Sequence, residues 1–326
     1  MRVVIYGVGA IGGIVGAALA RSGQDVIGIA RGAQLDALQT KGLTLRAPGG
    51  TFTVPFACVG SPAEVEFRAG DIVCLAMKSQ HTEAALEELS RVAPSDTDVF
   101  CLQNGIANER RALRRFANTH GVTVMMPGLY LQPGEVTCFV APCFGIFDIG
   151  LYTGGSNHAD RAFAEVLNQS NIAAYLSDDV MVSKRGKLLI NLGNIIEAAL
   201  GRGADAGDLR ERVRAEGVAV LTAADLDWQD VGAGDARRQK LMKPGPVDGV
   251  PRGGGSTSQS LIRGADTLET PYLNGEIALL ARLHGVPAPL NAALTRLASE
   301  LLRQGVGTGS LTLAQLEDWL TAHQTP

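Results

Sequence analysis

Three things are scarce in this chain of 326 residues: excess charge of one sign, cysteine in paired motifs, and long apolar runs. Lys and Arg number 29 against 33 Asp and Glu, a net charge of −4, so the basic excess that supports nucleic-acid binding is missing. With 46% hydrophobic and 19% charged residues, the chain also lacks the polar, highly charged composition of disordered proteins. The cysteines (Cys58, Cys74, Cys101, Cys138 and Cys143) are odd in number, form no C-x-x-C pair, and in several cases sit inside apolar runs. That argues against zinc ligation and a disulfide framework, and for buried thiols in a reducing cytosol. No metal is expected. Val3 to Ala20 carries no charge and follows Arg2, which is the outline of a leader peptide. Five glycines from Gly7 to Gly16 break the apolar core a leader needs, and the stretch is too short and too glycine-broken for a membrane span. The expectation is a cytoplasmic protein with neither nucleic-acid nor membrane partners.

Glycine, in contrast, is plentiful: 40 residues, against a usual share of ~7%. Without a G-X-Y period, such an excess points to tight turns and close backbone approaches to a ligand. The length suits about two domains. Val3-Val4-Ile5-Tyr6 reads as a parallel strand buried on both faces. It runs directly into Gly7-Val8-Gly9-Ala10-Ile11-Gly12, then a helix from Ile11 to Arg21 and a second strand from Asp25 to Ala30. G-x-G-x-x-G between strand and helix is the dinucleotide fingerprint: Gly7 for the turn, Gly9 for backbone approach to a pyrophosphate, Gly12 for helix packing. The helix start, with Ala10 and Ile11, offers N–H groups to phosphate. An NAD site wants Asp or Glu at the end of the second strand. Here that place holds Arg31, which suits a 2′-phosphate, so NADP is favoured.

Downstream, Leu43–Leu45 and Thr51–Val54 flank Pro48-Gly49-Gly50 as a hairpin. Strands Asp71–Met77 and Asp98–Leu102 deliver Lys78 and Gln103-Asn104-Gly105 at their carboxyl ends, where open parallel sheets bind ligands. Asn-Gly is also an ordinary turn dipeptide. Val122–Met126, Glu135–Val140 and Gly145–Ile149 are expected to extend the sheet, and Asn157–Asn168 to form a helix. From about Ser177 the period turns helical. Asp178–Leu200 reads as one long helix whose Lys187, Asn191 and Asn194 share a stripe. Lys243–Gly255 reads as a loop, with Ser256 or Thr257 capping a helix through Ile262. Tyr272–Leu283 and Ala292–Gln304 are further helices, and Thr312 with Gln315 suggests a capping box. The fold class is α/β: a Rossmann-type parallel-sheet domain over 1–176, followed by an all-α domain over 177–326.

Several separated motifs now align in order: GVGAIGG, the ARG after the second strand, AMKSQ, QNG, KLLIN and LETPYLNGEIALLARLHG. Over residues 1 to about 304 the chain resembles the ketopantoate reductase (2-dehydropantoate 2-reductase) family. The resemblance implies NADPH-dependent reduction of the 2-keto group of ketopantoate, a step of pantothenate biosynthesis, in a cleft between a Rossmann domain and a helical domain. It makes Lys187 the catalytic acid and Asn191 a substrate ligand. Lys78 and Asn104 fall at the nicotinamide end of the cofactor, and Asn104 is also placed toward substrate. Glu269 resembles the acidic residue that binds substrate and helps place the lysine. Two departures touch substrate recognition. Ile195 stands where the family has a second Asn, with Asn194 one residue before, and Thr257 stands in place of a Ser. Arg252 is a further candidate for a substrate carboxylate. Hydride addition to a ketone leaves an alkoxide that a Lys ammonium can stabilise and protonate. The partner expected is a small 2-keto acid, and a homodimer is admitted. Two alternatives stay open: a paralogous reductase of another 2-keto acid, and a non-catalytic NADP(H)-binding sensor. Retention of both Lys187 and Glu269 argues against the sensor.

Overall fold

Val3–Tyr6 is β1 of the computed structural model, which describes residues 1–323, and all four of its side chains are buried. Apolar residues without alternation suit a strand covered on both faces. There follow α1 (Ala10–Arg21), β2 (Val26–Ile29), α2 (Gly32–Lys41), and the hairpin of β3 (Leu43–Ala47) and β4 (Gly50–Val54). That hairpin turns where Pro48-Gly49 predicts. Next come β5 (Cys58–Val59), β6 (Ile72–Leu75), α3 (Thr82–Ser90), β7 (Asp98–Cys101) and α4 (Asn108–Leu113). β8 (Thr119–Met125), β9 (Gly128–Leu129), β10 (Glu135–Cys138), β11 (Val140–Pro142) and β12 (Gly145–Leu151) lead to α5 (His158–Gln169) and β13 (Ile172–Leu176).

Eight of these strands form one sheet in the order β13-β12-β8-β7-β6-β1-β2-β5. Neighbours from β5 to β8 run parallel, β12 is antiparallel to β8, and β13 is parallel to β12. The strand order reverses at β1, which lies between β2 and β6, and such a switch point opens a crevice at the carboxyl ends. Val4, Tyr6, Val73, Leu75 and Val99 pack with Leu86 and Leu89 of α3 and with Phe116. Glu135–Val140 does not extend this sheet. β10 instead lies parallel to β3 and antiparallel to β9, in a separate sheet ordered β4-β3-β10-β9. Its partner is about ninety residues earlier, a pairing no local pattern encodes.

The remaining elements are α6 (Val180–Asn191), α7 (Asn194–Leu200), α8 (Leu209–Ala223), α9 (Ala236–Leu241), β14 (Met242–Pro244), α10 (Ser256–Ile262), α11 (Asn274–His284), α12 (Pro289–Gln304) and α13 (Leu313–His323). The chain divides into two compact units. The first comprises Met1–Gln103, Asn108–Ser183 and Ala233–Pro251; the second comprises Asn104–Ala107, Lys184–Gly232 and the chain from Arg252 onward. The last three residues of the 177–326 span lie outside the described residues. Among the described residues no helix is long and apolar enough to cross a membrane.

Two expectations need correction. Asp178–Leu200 is not one helix: it breaks at Leu192-Gly193 into α6 and α7. The Leu192 carbonyl accepts from Asn274 Nδ2 at 3.1 Å, so a side chain from α11 takes up a carbonyl at the break. Asn274 also donates to Asn291, which donates to the Val213 carbonyl and to Glu216. The stretch opening at Lys243 is not loop throughout, because Met242–Pro244 is β14, paired antiparallel with β11. Arg237 anchors this stretch by donating to both carboxylate oxygens of Asp148, at 2.6 and 3.2 Å, and to Asp235.

A buried charge network lies within the first unit. His120 on β8 is fully buried, with Nδ1 2.7 Å from Asp160 and Nε2 3.0 Å from Asp98, its ring stacked on Phe100. Burial alone would lower the imidazole pKa, but the hydrogen bonds and charge of the two aspartates outweigh it and hold it above the ordinary value. A raised folded-state pKa means stability that is fully present below about pH 6.5, the unfolded value, and lost as pH rises through the folded value. Thermal unfolding from about pH 6 to about pH 9 should therefore show a declining Tm. His120→Gln should flatten that decline while lowering Tm at the acid end. Parallel profiles for the two proteins would show that His120 carries no such charge.

Candidate active site

Gly7 leaves β1 at φ 103, and a Cβ there would lie 2.6 Å from the Met77 nitrogen. A Cβ on Gly12 would lie 2.2 Å from the Gly7 carbonyl oxygen, so α1 can close on the turn only with glycine at 12. At Gly9 a Cβ would meet nothing within 4 Å: the backbone there faces open space. Gly9 is also the N-cap of α1, and no side chain caps it, so the first turn with Ala10 and Ile11 presents N–H donors and a positive dipole end. Gln34 on α2 fixes the loop, donating to the Val8 carbonyl and accepting from the Gly134 N–H, both at 2.8 Å. This arrangement fits a diphosphate. Lys78, half-buried, follows β6 and caps a short 3₁₀ turn over Ser79–His81.

Arg31 is exposed directly beyond β2. Its guanidinium lies 2.5 Å from Glu88 Oε2 on α3, and the Tyr6 hydroxyl donates to the same oxygen at 2.7 Å. The Tyr6 hydrogen bond and Arg31 hold the Glu88 carboxyl below its ordinary pKa, while burial and the carboxylate push the Tyr6 phenol up.

In the second unit, Lys187 and Asn191 sit one turn apart on α6. A Cβ on Gly186 would stand 1.6 Å from the Gln229 carbonyl oxygen, so the backbone at 229 lies directly on α6 beside Lys187. Lys187 is half-buried; Asn191 is buried, and its Nδ2 has no hydrogen-bond partner among the described residues. Asn194 opens α7 past the break. Its Oδ1 is 3.6 Å from where a Cβ on Gly255 would stand, beside the start of α10 and its buried Thr257. Neither Ser256 nor Thr257 caps α10. Gly255 is the N-cap, and its N–H donates to Glu197 Oε1 at 2.6 Å. Glu269 is buried and heads the 3₁₀ turn Thr270–Tyr272. Asn104 belongs to this unit, since its neighbour Gly105, at φ 81, would place a Cβ 2.8 Å from the Tyr272 carbonyl oxygen. Arg252 is exposed, and its carbonyl accepts from Arg202.

The structure thus groups Asn194 with Thr257, and Asn104 with the turn that Glu269 heads. Sequence reasoning missed Gln34, Glu88 and Glu197. Glu197 left a signal, as the one carboxylate in the apolar run Asn194–Leu200. Glu88 left none, being one of several glutamates on an amphipathic helix. Among the described residues no group of three or more His, Cys, Asp or Glu is placed to hold a metal ion.

Residues 3–142 match the family described as "Ketopantoate reductase PanE/ApbA", and residues 183–302 the one described as "Ketopantoate reductase PanE/ApbA C terminal". The chain belongs to the ketopantoate reductase family. It is 28% identical to a 2-dehydropantoate 2-reductase of Pyrococcus horikoshii, across 95% of this chain and all of that one. It is 26% identical to the enzyme so named in Aquifex aeolicus, across 91% and 96%. A PanE/ApbA family ketopantoate reductase from Ralstonia eutropha JMP134 superposes at TM-score 0.77 with 26% identity, covering 94% of this chain and 99% of that one. A D-mandelate dehydrogenase, solved with NADH and anilino(oxo)acetate, shares the fold at TM-score 0.78 and 24% identity, covering 94% and 99%.

The glycine geometry of this ketopantoate reductase family member yields a paired test. Gly12→Ala drives a methyl group into the backbone and should lower urea-unfolding stability by about 2–4 kcal/mol. Gly9→Ala points into open space and should stay within about 1 kcal/mol of the parent. Equal losses would show that the loop is not shaped as described.

Proposed function

We propose that this chain reduces a 2-keto acid to the 2-hydroxy acid with NADPH: 2-dehydropantoate (ketopantoate) to pantoate, a step of pantothenate biosynthesis. The cofactor, when bound, supplies a hydride to the keto carbon. Residues 1–176 hold it and residues 177–326 supply the substrate machinery. Gly7, Gly9, Ala10, Ile11 and Gly12 take the diphosphate on the start of α1, Arg31 takes the 2′-phosphate, and Lys78 and Asn104 serve the nicotinamide end. Lys187 protonates the developing alkoxide and stabilises its charge. Glu269 accepts from a substrate hydroxyl and orients Lys187, while Asn191, Asn194, Thr257 and Asn104 bind the substrate's polar groups.

One observation carries the reading. Asn191 Nδ2 is buried without a hydrogen-bond partner among the described residues, one helical turn from Lys187. A buried unpaired donor costs about 1–3 kcal/mol, which an accepting ligand relieves. The reading extends to a cytoplasmic location and to a homodimer, and sedimentation velocity tests the latter.

Lys187→Ala should cut kcat by about 10²–10⁴-fold, the usual contribution of general acid catalysis, with NADPH binding retained. A folded variant keeping more than about a tenth of the parent kcat would overturn the assignment. Arg31→Ala should weaken NADPH binding by about 10- to 100-fold with little change for NADH, through loss of a charge-assisted contact. Equal weakening of both would make Arg31 structural. NADPH oxidation against a panel of 2-keto acids separates ketopantoate from a paralogue's substrate, and absence of turnover on every member would favour the sensor.

A further inference from the structure

We infer that Glu88 tempers the cofactor preference of this site: its carboxylate opposes a 2′-phosphate at Arg31 and offers an acceptor to a free ribose 2′-hydroxyl. The inference rests on the reading that Arg31 meets the 2′ position of the adenosine ribose. Dinucleotide sites that prefer NAD carry a carboxylate at the end of the second strand, where it accepts from the 2′-hydroxyl. Here that position carries Arg31, and the carboxylate is restored from elsewhere, by α3. Ala85, Leu86 and Leu89 are buried against the sheet, which fixes the register that turns Glu88 toward the carboxyl ends of β1 and β2. Tyr6, the last residue of β1, donates its hydroxyl to Oε2 at 2.7 Å, and Arg31 holds the same oxygen at 2.5 Å. Both contacts engage Oε2, and among the described residues no hydrogen bond to Oε1 is made, so one carboxylate oxygen remains to accept a hydroxyl proton.

Charge decides the sign of the effect. Any group that Arg31 binds has an ionised carboxylate as its neighbour, because Tyr6 and Arg31 both hold Glu88 in the charged form. A dianionic 2′-phosphate must share Arg31 with that carboxylate or displace it, whereas a hydroxyl only gains an acceptor. Displacement costs little, since both side chains of the pair are substantially exposed, at 63% and 37%, and such pairs are weak. Glu88 therefore narrows the preference for the phosphorylated cofactor without reversing it.

Calorimetric titration with adenosine 2′,5′-bisphosphate and with AMP, which lacks the 2′-phosphate, reads this directly and needs no turnover. Glu88→Gln keeps the shape and removes the charge. It should tighten the bisphosphate relative to AMP by roughly three- to fivefold, the scale of one exposed ion pair, and the gain should shrink at high salt. Glu88→Ala should shift the ratio in the same direction, which keeps the test available if the glutamine variant folds poorly. An unchanged ratio in both Glu88 variants, with Arg31→Ala still losing the bisphosphate selectively, would overturn the role of Glu88 alone. If Arg31→Ala weakens both nucleotides equally, the assignment of Arg31 fails and the inference falls with it.

Discussion

The Gly7 carbonyl oxygen stands 2.2 Å from where a side chain on Gly12 would begin, and that close approach governs the first unit. Because the backbone of α1 touches the turn that leaves β1, the helix starts at the carboxyl edge of the sheet. Its first-turn N–H groups therefore face the crevice at the strand-order switch. A longer side chain at 12 would lever the helix away and take its first-turn N–H donors with it. The Gln34 side-chain amide and the Met77 backbone close the same turn from other sides, so the loop is held by contacts to its backbone that few substitutions can imitate.

The second unit solves a different problem, that of placing polar groups inside helices packed by Leu188, Leu192, Ile196, Val213, Ile277 and Leu297. Several make internal hydrogen bonds. Asn274 and Asn291 link the break after α6 with α8, α11 and α12, and Glu216 accepts from the first-turn N–H groups of α12. Glu197 does the same for the glycine that opens α10. The orphan donor of Asn191 lies one helical turn from Lys187, at a place where a helix optimised for packing would carry an apolar residue.

What could be read from the sequence was local. The fingerprint of Gly7, Gly9 and Gly12, the hairpin turn at Pro48-Gly49 and the reciprocal bonds of Thr312 and Gln315 each concern residues close in the chain, whose φ values and spacing act over a few positions. What escaped was the product of distant pairings. The break at Leu192 is stabilised by Asn274, eighty-two positions away; β10 joins a hairpin far upstream; Glu88 reaches Arg31 across fifty-seven positions. The apolar period continues through Leu192-Gly193, and Gly193, a weak helix former and the N-cap of α7, is the local mark of the break that Asn274 completes from a distance. The order of motifs identified the family, but the neighbours of its polar residues are a property of the folded chain.

The pairing of β14 with β11 makes the path of the chain less simple than its motifs suggest. Counting the joins at 103/104, 107/108, 183/184, 232/233 and 251/252, the backbone passes between the units five times. No single cut therefore separates them. A fragment ending near residue 176 would lose the segment that carries Arg237, leaving Asp148 without its cation and the β11 edge without its partner strand. Anyone dividing this protein for expression, or fusing one half to another scaffold, must carry residues 233–251 with the sheet rather than with the helices.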